Sequence, residues 1–363
     1  MTKPASDPLL EITDLTVRYS QGLRRPPLTA VDRVSMSVAA GETVSVVGES
    51  GSGKTTLAST VLGLHRAAAG SVRLHGAEIL NTSARQRKAL GASLQAVFQD
   101  PFSSLDPSRT IGMSVAEPLR AARNGLSAAE IRDRTGQILS RVGIQPAGMS
   151  KYPAEFSGGQ RQRIAIARAL ILEPEIVICD EAVSALDVSI QAQVLNLLEE
   201  LQQDAGTSYL FISHNMAVVR HISDRVVVLY RGRVMEQGLA ADVCERPAHP
   251  YTRALLASVP VPDVNAQQAR RIARSEASTL SEFATRGDVG CQFAPRCPFA
   301  QERCVAETPA LTDIGGGRRV ACVRTRDIPA AEEARFAIRL QAATPSPSLP
   351  APAARQTNDI ATG

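Results

Sequence analysis

Runs of apolar and β-branched residues recur along the first two thirds of the chain and predict a sheet with buried strands. Residues 43–47, 176–179 and 209–212 are almost continuously apolar, which is the pattern of strands covered on both faces. Residues 9–19 alternate loosely with period two and predict an edge-type strand. Shorter strands are predicted at 34–38, 71–74, 94–98, 225–230 and 233–237, and we expect the last two to close the sheet.

Helical spacing appears between these strands. Five apolar residues within 190–201 lie on one face of a predicted amphipathic helix, and we interpret that face as core packing. Ser127 and Glu130 form a capping-box pattern ahead of a second apolar stripe that ends at Val142. Because this stripe lies between two predicted strands, we predict an inserted α-helical subdomain at about residues 103–170.

A glycine-rich loop joins the strand at 43–47 to a predicted helix at 57–62. It fits the pattern G-x-x-x-x-G-K-[ST] in full and consists of Gly48, Glu49, Ser50, Gly51, Ser52, Gly53, Lys54, Thr55 and Thr56. Such a loop wraps phosphate oxygens with backbone N–H groups at the positive end of a helix dipole. Lys54 would reach the β- and γ-phosphates of a bound nucleotide, and Thr55 would offer its hydroxyl to Mg²⁺. A chance glycine turn is the alternative, but both flanking segments match the motif.

Polar residues follow three predicted strands. Asp180 and Glu181 end the strand at 176–179, where Asp180 would hold Mg²⁺ and Glu181 would polarise an attacking water. The alternative is a solvated carboxylate pair in a loop. Gln99 is either a turn residue or a contact to Mg²⁺ or the attacking water, and His214 is either structural or a contact to a γ-phosphate.

Residues 157–163, with the sequence Ser-Gly-Gly-Gln-Arg-Gln-Arg, permit two interpretations. Ser157 and Gln160 form a capping box for a helix predicted at 164–172. However, two glycines in a first turn cost about 1 kcal/mol each relative to alanine. Arg161 and Arg163 also place positive charge at the positive end of the helix dipole. We therefore favour an anion-binding site over a simple helix cap.

Composition excludes several classes of protein. The net charge of +4, from 40 basic and 36 acidic residues, is too small to indicate a nucleic-acid partner. Tryptophan is absent and aromatic residues make up 4%, which argues against a base-stacking platform. No apolar run reaches the roughly 18–20 residues that span a bilayer, and the first ten residues lack a signal-peptide core. We expect a cytoplasmic protein that acts on membranes only through partners.

These motifs, in this order and spacing, resemble the ATPase of ABC transporters over about residues 9–240. The resemblance implies Walker A, Q-loop, signature, Walker B, D-loop and H-loop roles, respectively, for residues 48–55, Gln99, 157–160, 180–181, 184–187 and His214. It also implies that Tyr19 stacks on adenine, although spacing alone favours an aromatic packed on a core. Ala182 and Val183 replace a commoner Pro-Thr pair at positions that do not carry the chemistry.

The same resemblance implies partners. ABC ATPases work as head-to-tail dimers in which the signature of one subunit contacts the ATP held by the other. The residues acting in trans would be Ser157, Gly158, Gly159, Gln160 and Asp187. ATP closes such a dimer and hydrolysis reopens it, which usually drives a transmembrane partner. We therefore expect a second ABC ATPase subunit, two permease subunits and an extracytoplasmic substrate-binding protein, with the chain at the cytoplasmic face of the inner membrane.

Two further segments of the chain indicate one group within the ABC transporter ATPases. Residues 246–256 and 152–156 resemble segments of the oligopeptide/dipeptide importer ATPases. Four of the six cysteines are clustered in the last third and look like a ligand set, namely Cys291, Cys297, Cys304 and Cys322. Disulfides are not expected in a reducing cytoplasm, and an all-thiolate set suits an iron–sulfur cluster or structural zinc. The importer resemblance favours a [4Fe–4S] cluster, with zinc and four unligated thiols as alternatives.

The expected fold class is α/β, with a P-loop NTPase core of the ABC ATPase type and an N-terminal antiparallel β region. We expect the nucleotide-binding domain at 1–240, the C-terminal extension at 241–327 and an Ala/Pro-rich disordered tail at 328–363. The predicted function is ATP hydrolysis for uptake of di- or oligopeptides. Alternatives are the same role for nickel or another small solute, and a soluble clamp ATPase of DNA repair or translation.

Overall fold

The computed structural model describes residues 7–22, 26–80, 82–100, 104–122, 125–184, 186–257 and 289–325. A four-stranded antiparallel sheet has the order β2-β1-β4-β5, and an eight-stranded sheet has the order β11-β12-β10-β9-β3-β8-β7-β6. The strands are β1 Leu10–Tyr19, β2 Leu28–Val38, β3 Thr43–Val47, β4 Ala69–Leu74, β5 Ala77–Glu78, β6 Leu94–Val97, β7 Ile176–Asp180, β8 Ser208–Ser213, β9 Arg225–Tyr230, β10 Arg233–Leu239, β11 Thr312–Gly315 and β12 Arg318–Val320. The predicted N-terminal antiparallel region is confirmed.

Helices cover the larger sheet and connect its parallel strands. They are α1 Lys54–Val61, α2 Ala84–Leu90, α3 Ile111–Ala122, α4 Ala128–Arg141, α5 Gly158–Leu170, α6 Val188–Ala205, α7 Met216–Ile222, α8 Ala240–Glu245, α9 Pro250–Ala257 and α10 Glu302–Ala306. Three helices, α3, α4 and α5, follow β6 and precede β7, where the sequence predicted a helical insertion. None of the helices described is both long and apolar enough to cross a membrane.

Alternate residues of the central strands face two different cores. On one face, Ile178 and Ile212 join α1 and the antiparallel sheet in one apolar cluster. On the opposite face, Cys179 and Phe211 join a second cluster that contains the apolar sides of α3, α4, α5 and α6. The helix after the phosphate loop and the helix after residue 157 therefore pack on opposite faces of one sheet.

The C-terminal extension continues the larger sheet. Strand β12 pairs with β10 in antiparallel register, with Glu236 opposite Val320, and β11 adds the edge. The prediction that residues 225–237 close the sheet is therefore wrong, because two strands from the distant sequence extend it. Glu236 is fully buried at this junction and accepts hydrogen bonds from the N–H groups of Ala248 and His249 and from Arg318.

A third core fixes the extension to the ATPase sheet. It combines residues of β9 and β10, among them Val228 and Tyr230, with Tyr251 from α9 and Phe293 from the cysteine-rich segment. Residues 258–288 of the extension and the tail predicted at 328–363 lie outside the described residues.

Candidate active site

The phosphate loop, residues 48–55, runs from the end of β3 into α1. Gly53 is the N-cap of α1 and has a left-handed backbone with φ of 102°. A Cβ atom at this position would lie 2.3 Å from the Ala30 carbonyl oxygen, and one at Gly48 would lie 2.1 Å from that of Leu229. The loop is therefore held against two neighbouring strands at distances that only glycine permits.

Lys54 lies inside this loop. Its ammonium group donates to the carbonyl oxygens of Gly48, at 2.8 Å, and Glu49, at 2.9 Å, and only 4% of the residue is exposed. Burial lowers the pKa of Lys54, while the nearby charges of Glu181 and Asp180 partly oppose that shift. The ammonium group is thus held inside the loop by two of the loop's own carbonyl oxygens.

Thr55 and Asp180 meet beside Lys54. The Thr55 hydroxyl donates to Asp180 Oδ1 at 3.3 Å. Asp180 is the last residue of β7 and is 8% exposed, and this burial raises the pKa of its carboxyl group. A hydroxyl and a carboxylate that face one another at the phosphate loop form a donor set suited to Mg²⁺, which prefers oxygen ligands.

Glu181 and His214 come together at the next position along the same sheet edge. Strands β7 and β8 are parallel neighbours, so their carboxyl ends lie side by side. Glu181 has a left-handed backbone with φ of 49°, and its N–H group donates to the Ile212 carbonyl at 3.0 Å. His214 Nδ1 lies 3.3 Å from Glu181 Oε1. The structure therefore brings Lys54, Thr55, Asp180, Glu181 and His214 to one edge.

Gln99 and Tyr19 lie at the borders of this group. Gln99 follows β6, the strand parallel to β7, and is exposed. Tyr19 ends β1, and its hydroxyl donates to Thr56 Oγ1 at 3.3 Å. Its ring makes an edge contact with His65 at a centroid distance of 5.4 Å. The ring thus lies next to the phosphate loop, and adenine stacking by Tyr19 stays a prediction.

The signature segment, residues 157–160, forms a complete capping box on α5. The Gln160 N–H group donates to Ser157 Oγ at 3.3 Å, and the Ser157 N–H group donates to Gln160 Oε1 at 3.0 Å. The helix thus begins at Gly158, six residues before the predicted start. The capping alternative and an anion site are compatible here, because the cap leaves other N–H groups of the first turn unpaired.

The arginines and one glycine of this region have structural partners. Arg161 donates to the Pro153 carbonyl at 2.8 Å and Arg163 to the Val142 carbonyl at 3.2 Å. A Cβ atom at Gly159 would lie 2.5 Å from the Ile190 side chain on α6, whereas Gly158 has open space around it. The charge argument for an anion site is therefore weaker than the sequence indicated, and Gly158, unlike Gly159, has no neighbour within 4 Å of an added Cβ atom.

Asp187, the D-loop residue, acts as a helix cap within this chain. Its side chain accepts a hydrogen bond from the Ile190 N–H group at 3.0 Å and starts α6. Both Asp187 and the signature segment belong to helices of the core that lies across the sheet from α1.

The four clustered cysteines line one small cavity, which we call the cysteine cavity. Its thiols come from Cys291, Cys297, Cys304 and Cys322, and His249 adds a ring to the wall. Burial raises the pKa of Cys291 to about 11 and that of Cys297 to about 12. Within the described part of the chain, no group of three or more His, Cys, Asp or Glu residues is arranged so that it could hold a metal ion. The arrangement as it stands thus gives no direct support to the predicted iron–sulfur or zinc site.

Two residues of the extension reach the phosphate loop, and the sequence did not single out either as a site residue. The Arg296 guanidinium contacts both carboxylate oxygens of Glu49, at 2.8 and 2.9 Å. The Tyr251 hydroxyl accepts the Glu49 N–H group at 2.9 Å. The signal for Tyr251 in the sequence was its position within residues 246–256, which resemble a segment of the peptide-importer ATPases. The signal for Arg296 was its position next to Cys297 among the clustered cysteines.

Comparisons with known proteins agree with this geometry. Residues 31–184 match the family model described as ABC transporter, and residues 235–304 match the model described as the C-terminal region of oligopeptide/dipeptide transporters. The oligopeptide transport ATP-binding protein OppF of Salmonella typhimurium is 47% identical over 310 residues, covering 84% of this chain and 92% of the relative. OppF of Haemophilus influenzae is 46% identical over 323 residues, covering 87% of this chain and 97% of the relative.

Solved structures of ABC transporter ATPases are also similar to this chain. The protein cbiO1 of Clostridium perfringens, part of the ABC transporter complex cbiONQ, superimposes with a TM-score of 0.59 and 30% identity over 66% of this chain and 91% of that chain. The ATP-binding cassette MJ0796, a dimer bound to ADP and phosphate, gives a TM-score of 0.59 and 28% identity over 64% of this chain and 98% of that chain.

Proposed function

The chain belongs to the ATP-binding subunits of oligopeptide and dipeptide ABC transporters, and from this premise we propose that it hydrolyses ATP to drive peptide uptake through a membrane permease. One observation carries the proposal: the phosphate loop faces Asp180, Glu181 and His214 at one edge of the sheet. The relatives described above are named for oligopeptide transport, which gives no support to a nickel cargo or to a clamp ATPase of DNA repair or translation.

The side chains at this edge divide the work of in-line attack by water. Lys54 would exchange its two loop carbonyls for β- and γ-phosphate oxygens of ATP. Glu181 would orient and deprotonate the water, and His214 beside it would stabilise the transferred charge. Thr55, Asp180 and Gln99 would hold Mg²⁺, which neutralises phosphate charge when bound.

ATP would be enclosed by two subunits. The signature segment and Asp187 begin helices that pack on the face of the sheet opposite α1, which supports a role at the nucleotide of a second subunit. Contributing Ser157, Gly158, Gly159, Gln160 and Asp187 to a partner's nucleotide requires a second ATPase subunit, either this chain or a related one. Gly158, where nothing lies within 4 Å of an added Cβ atom, would leave room for the partner's nucleotide.

The remaining partners follow from the family. Two permease subunits would cross the membrane, an extracytoplasmic binding protein would deliver the peptide, and the chain would sit at the cytoplasmic face of the inner membrane as a peripheral subunit. Gln99, exposed where β6 ends, is the residue near which the permease would dock.

Reconstitution tests this function. The chain, its permease subunits and the binding protein are placed in lipid vesicles, and uptake of a labelled peptide is followed with ATP on the side of the ATPase. We expect peptide to accumulate, and we expect Lys54→Ala to abolish both accumulation and phosphate release. Uptake of Ni²⁺ in place of peptide would refute the cargo, and co-purification with DNA or ribosomes instead of permease would refute the transporter.

We further propose that the cysteine cavity binds a [4Fe–4S] cluster. The support is the convergence of all four clustered thiols on one cavity. Burial raises the pKa of Cys291 and that of Cys297, so the positive charge of a bound group would have to favour their thiolate forms. Zinc is the alternative ligand for the same four thiols.

A further inference from the structure

The segment that joins Cys291 to Cys297 contacts the phosphate loop directly. Its Arg296 side chain forms a two-pronged ion pair with Glu49, the second residue of that loop. A bidentate ion pair of this kind fixes the relative orientation of the two side chains and also strengthens the interaction between them. The hydrogen bonds to Glu49 raise the pKa of Arg296, so the guanidinium remains charged.

Aromatic rings hold Arg296 in place. Its guanidinium lies 5.6 Å from the centre of the Phe293 ring and 6.0 Å from that of Tyr230. These two rings pack against each other at 5.5 Å, and both contact Tyr251, whose hydroxyl accepts the Glu49 N–H group. Phe293 and Tyr251 are almost fully buried. The Arg296 side chain thus packs against buried aromatic rings as it reaches the phosphate loop. This packing reduces the side-chain entropy that is lost when Arg296 pairs with Glu49.

The charge of Glu49 explains what this contact can do. Glu49 is the one acidic residue within the phosphate loop, a segment that must attract a polyphosphate. Its charge acts on Lys54, since Glu49 is among the acids that oppose the lowering of the Lys54 pKa. An unpaired carboxylate there would repel the phosphates of ATP, whereas a carboxylate paired with a guanidinium would not.

We propose that Arg296 is a positioning residue for ATP binding: it neutralises Glu49 and orients that carboxylate away from the nucleotide. The inference rests on the proposed ATPase function. It makes the cysteine-rich segment part of the nucleotide site, so that the extension contributes to ATP affinity and not only to the packing of the fold.

The test measures the KM for ATP and kcat for phosphate release in the full-length chain. We expect Arg296→Ala to raise the KM about fivefold to tenfold and to change kcat by less than about twofold. Arg296→Lys keeps the positive charge but loses the bidentate geometry of the guanidinium. Its KM for ATP should lie between that of the parent and that of Arg296→Ala. The decisive variant is Arg296→Ala combined with Glu49→Gln, which removes the unpaired acid and should restore the KM to within about twofold of the parent.

A matched control is Arg246→Ala. Arg246 is an exposed arginine of the same extension that pairs with Asp242, away from the loop, and its loss should leave the KM unchanged. A purely structural role for Arg296 predicts a lower melting temperature, no change in KM and no rescue by Glu49→Gln, and this result would overturn the proposal. An inactive parent chain would refute the ATPase function itself, while an active parent with an unchanged KM in Arg296→Ala would refute only the role of Arg296.

Discussion

The nucleotide site and the cysteine cavity are assembled in different ways. In the nucleotide site, each polar side chain sits on the phosphate loop or at the end of a parallel strand, and its partners are already in place, as in Thr55 with Asp180 and Glu181 with His214. In the cysteine cavity, the thiols come from loops and a short helix, and burial raises the pKa of Cys291 and Cys297. The polar groups of the first site are therefore already paired, while burial in the second disfavours the charged form of its thiols.

The largest expected effect lies in the nucleotide site. Glu181→Gln removes the proposed base but keeps the shape of the side chain, so we expect ATP binding to persist while phosphate release falls by about 10²–10⁴-fold. Single-turnover phosphate release and nucleotide binding measure the two properties separately. Full turnover by this variant would contradict the assignment of Glu181.

Glu175→Gln is the matched control for Glu181→Gln. Glu175 precedes the same strand, β7, at its opposite end and pairs with His75 at the surface. The change therefore alters charge by the same amount without touching the phosphate loop, and hydrolysis should stay within about twofold of the parent.

A second prediction uses two glycines of the phosphate loop. Gly53→Ala forces a Cβ atom to within 2.3 Å of the Ala30 carbonyl at a φ of 102°. We expect a loss of roughly 2–4 kcal/mol in the free energy of unfolding and loss of ATP binding, because the backbone must move. Thermal unfolding with and without ATP measures both effects.

Gly51→Ala provides the comparison for Gly53→Ala. Gly51 has a φ of 78°, but nothing lies within 4 Å of an added Cβ atom. Gly51→Ala should therefore lower the free energy of unfolding by only about 1 kcal/mol, which is the cost of a left-handed backbone at alanine. Equal damage from both substitutions would show that contact with the neighbouring strand does not constrain the loop.

The nucleotide site was largely predictable, because its residues are adjacent in sequence or follow recognisable strands. The capping role of Ser157 was identified as an alternative, yet the start of α5 at Gly158 was missed because two glycines disfavour a first turn. Helix α3 lies within the predicted helical insertion, but its bounds do not follow from the sequence, since Pro118 interrupts its interior. Strands β11 and β12 could not be placed on β10 from the sequence, because a register between distant segments leaves no local pattern.

The third prediction concerns the cysteine cavity. Purified protein should contain iron and labile sulfide, and Cys297→Ser should lower both, because three thiolates hold a cluster less well than four. Elemental analysis and the absorbance of the cluster measure the loss. Zinc without iron would assign a structural zinc site, and the absence of any metal would leave four unligated thiols.

Cys179→Ser is the control for Cys297→Ser, because it removes a thiol that does not line the cysteine cavity. Cys179 is a buried thiol in β7, and burial raises its pKa to about 12, but it faces the helical core and not the cavity. Its substitution should leave the metal content unchanged. Hydrolysis by Cys297→Ser should meanwhile retain its kcat, since the thiol itself does not touch the residues at the γ-phosphate.

The smallest expected effect lies where the two regions meet. Tyr251→Phe removes the hydroxyl that accepts the Glu49 N–H group and leaves the ring packed against Tyr230 and Phe293. We expect a loss of about 1 kcal/mol in the free energy of unfolding and a KM for ATP raised by about twofold to threefold, because Glu49 loses one of its hydrogen bonds.

Tyr209→Phe is the control for Tyr251→Phe. It removes a buried hydroxyl that donates to the Leu198 carbonyl, remote from the loop, and should cost similar stability without changing the KM. If both variants leave the KM unchanged, the hydroxyl only stabilises the extension, and Arg296 must account for any effect of that segment on ATP.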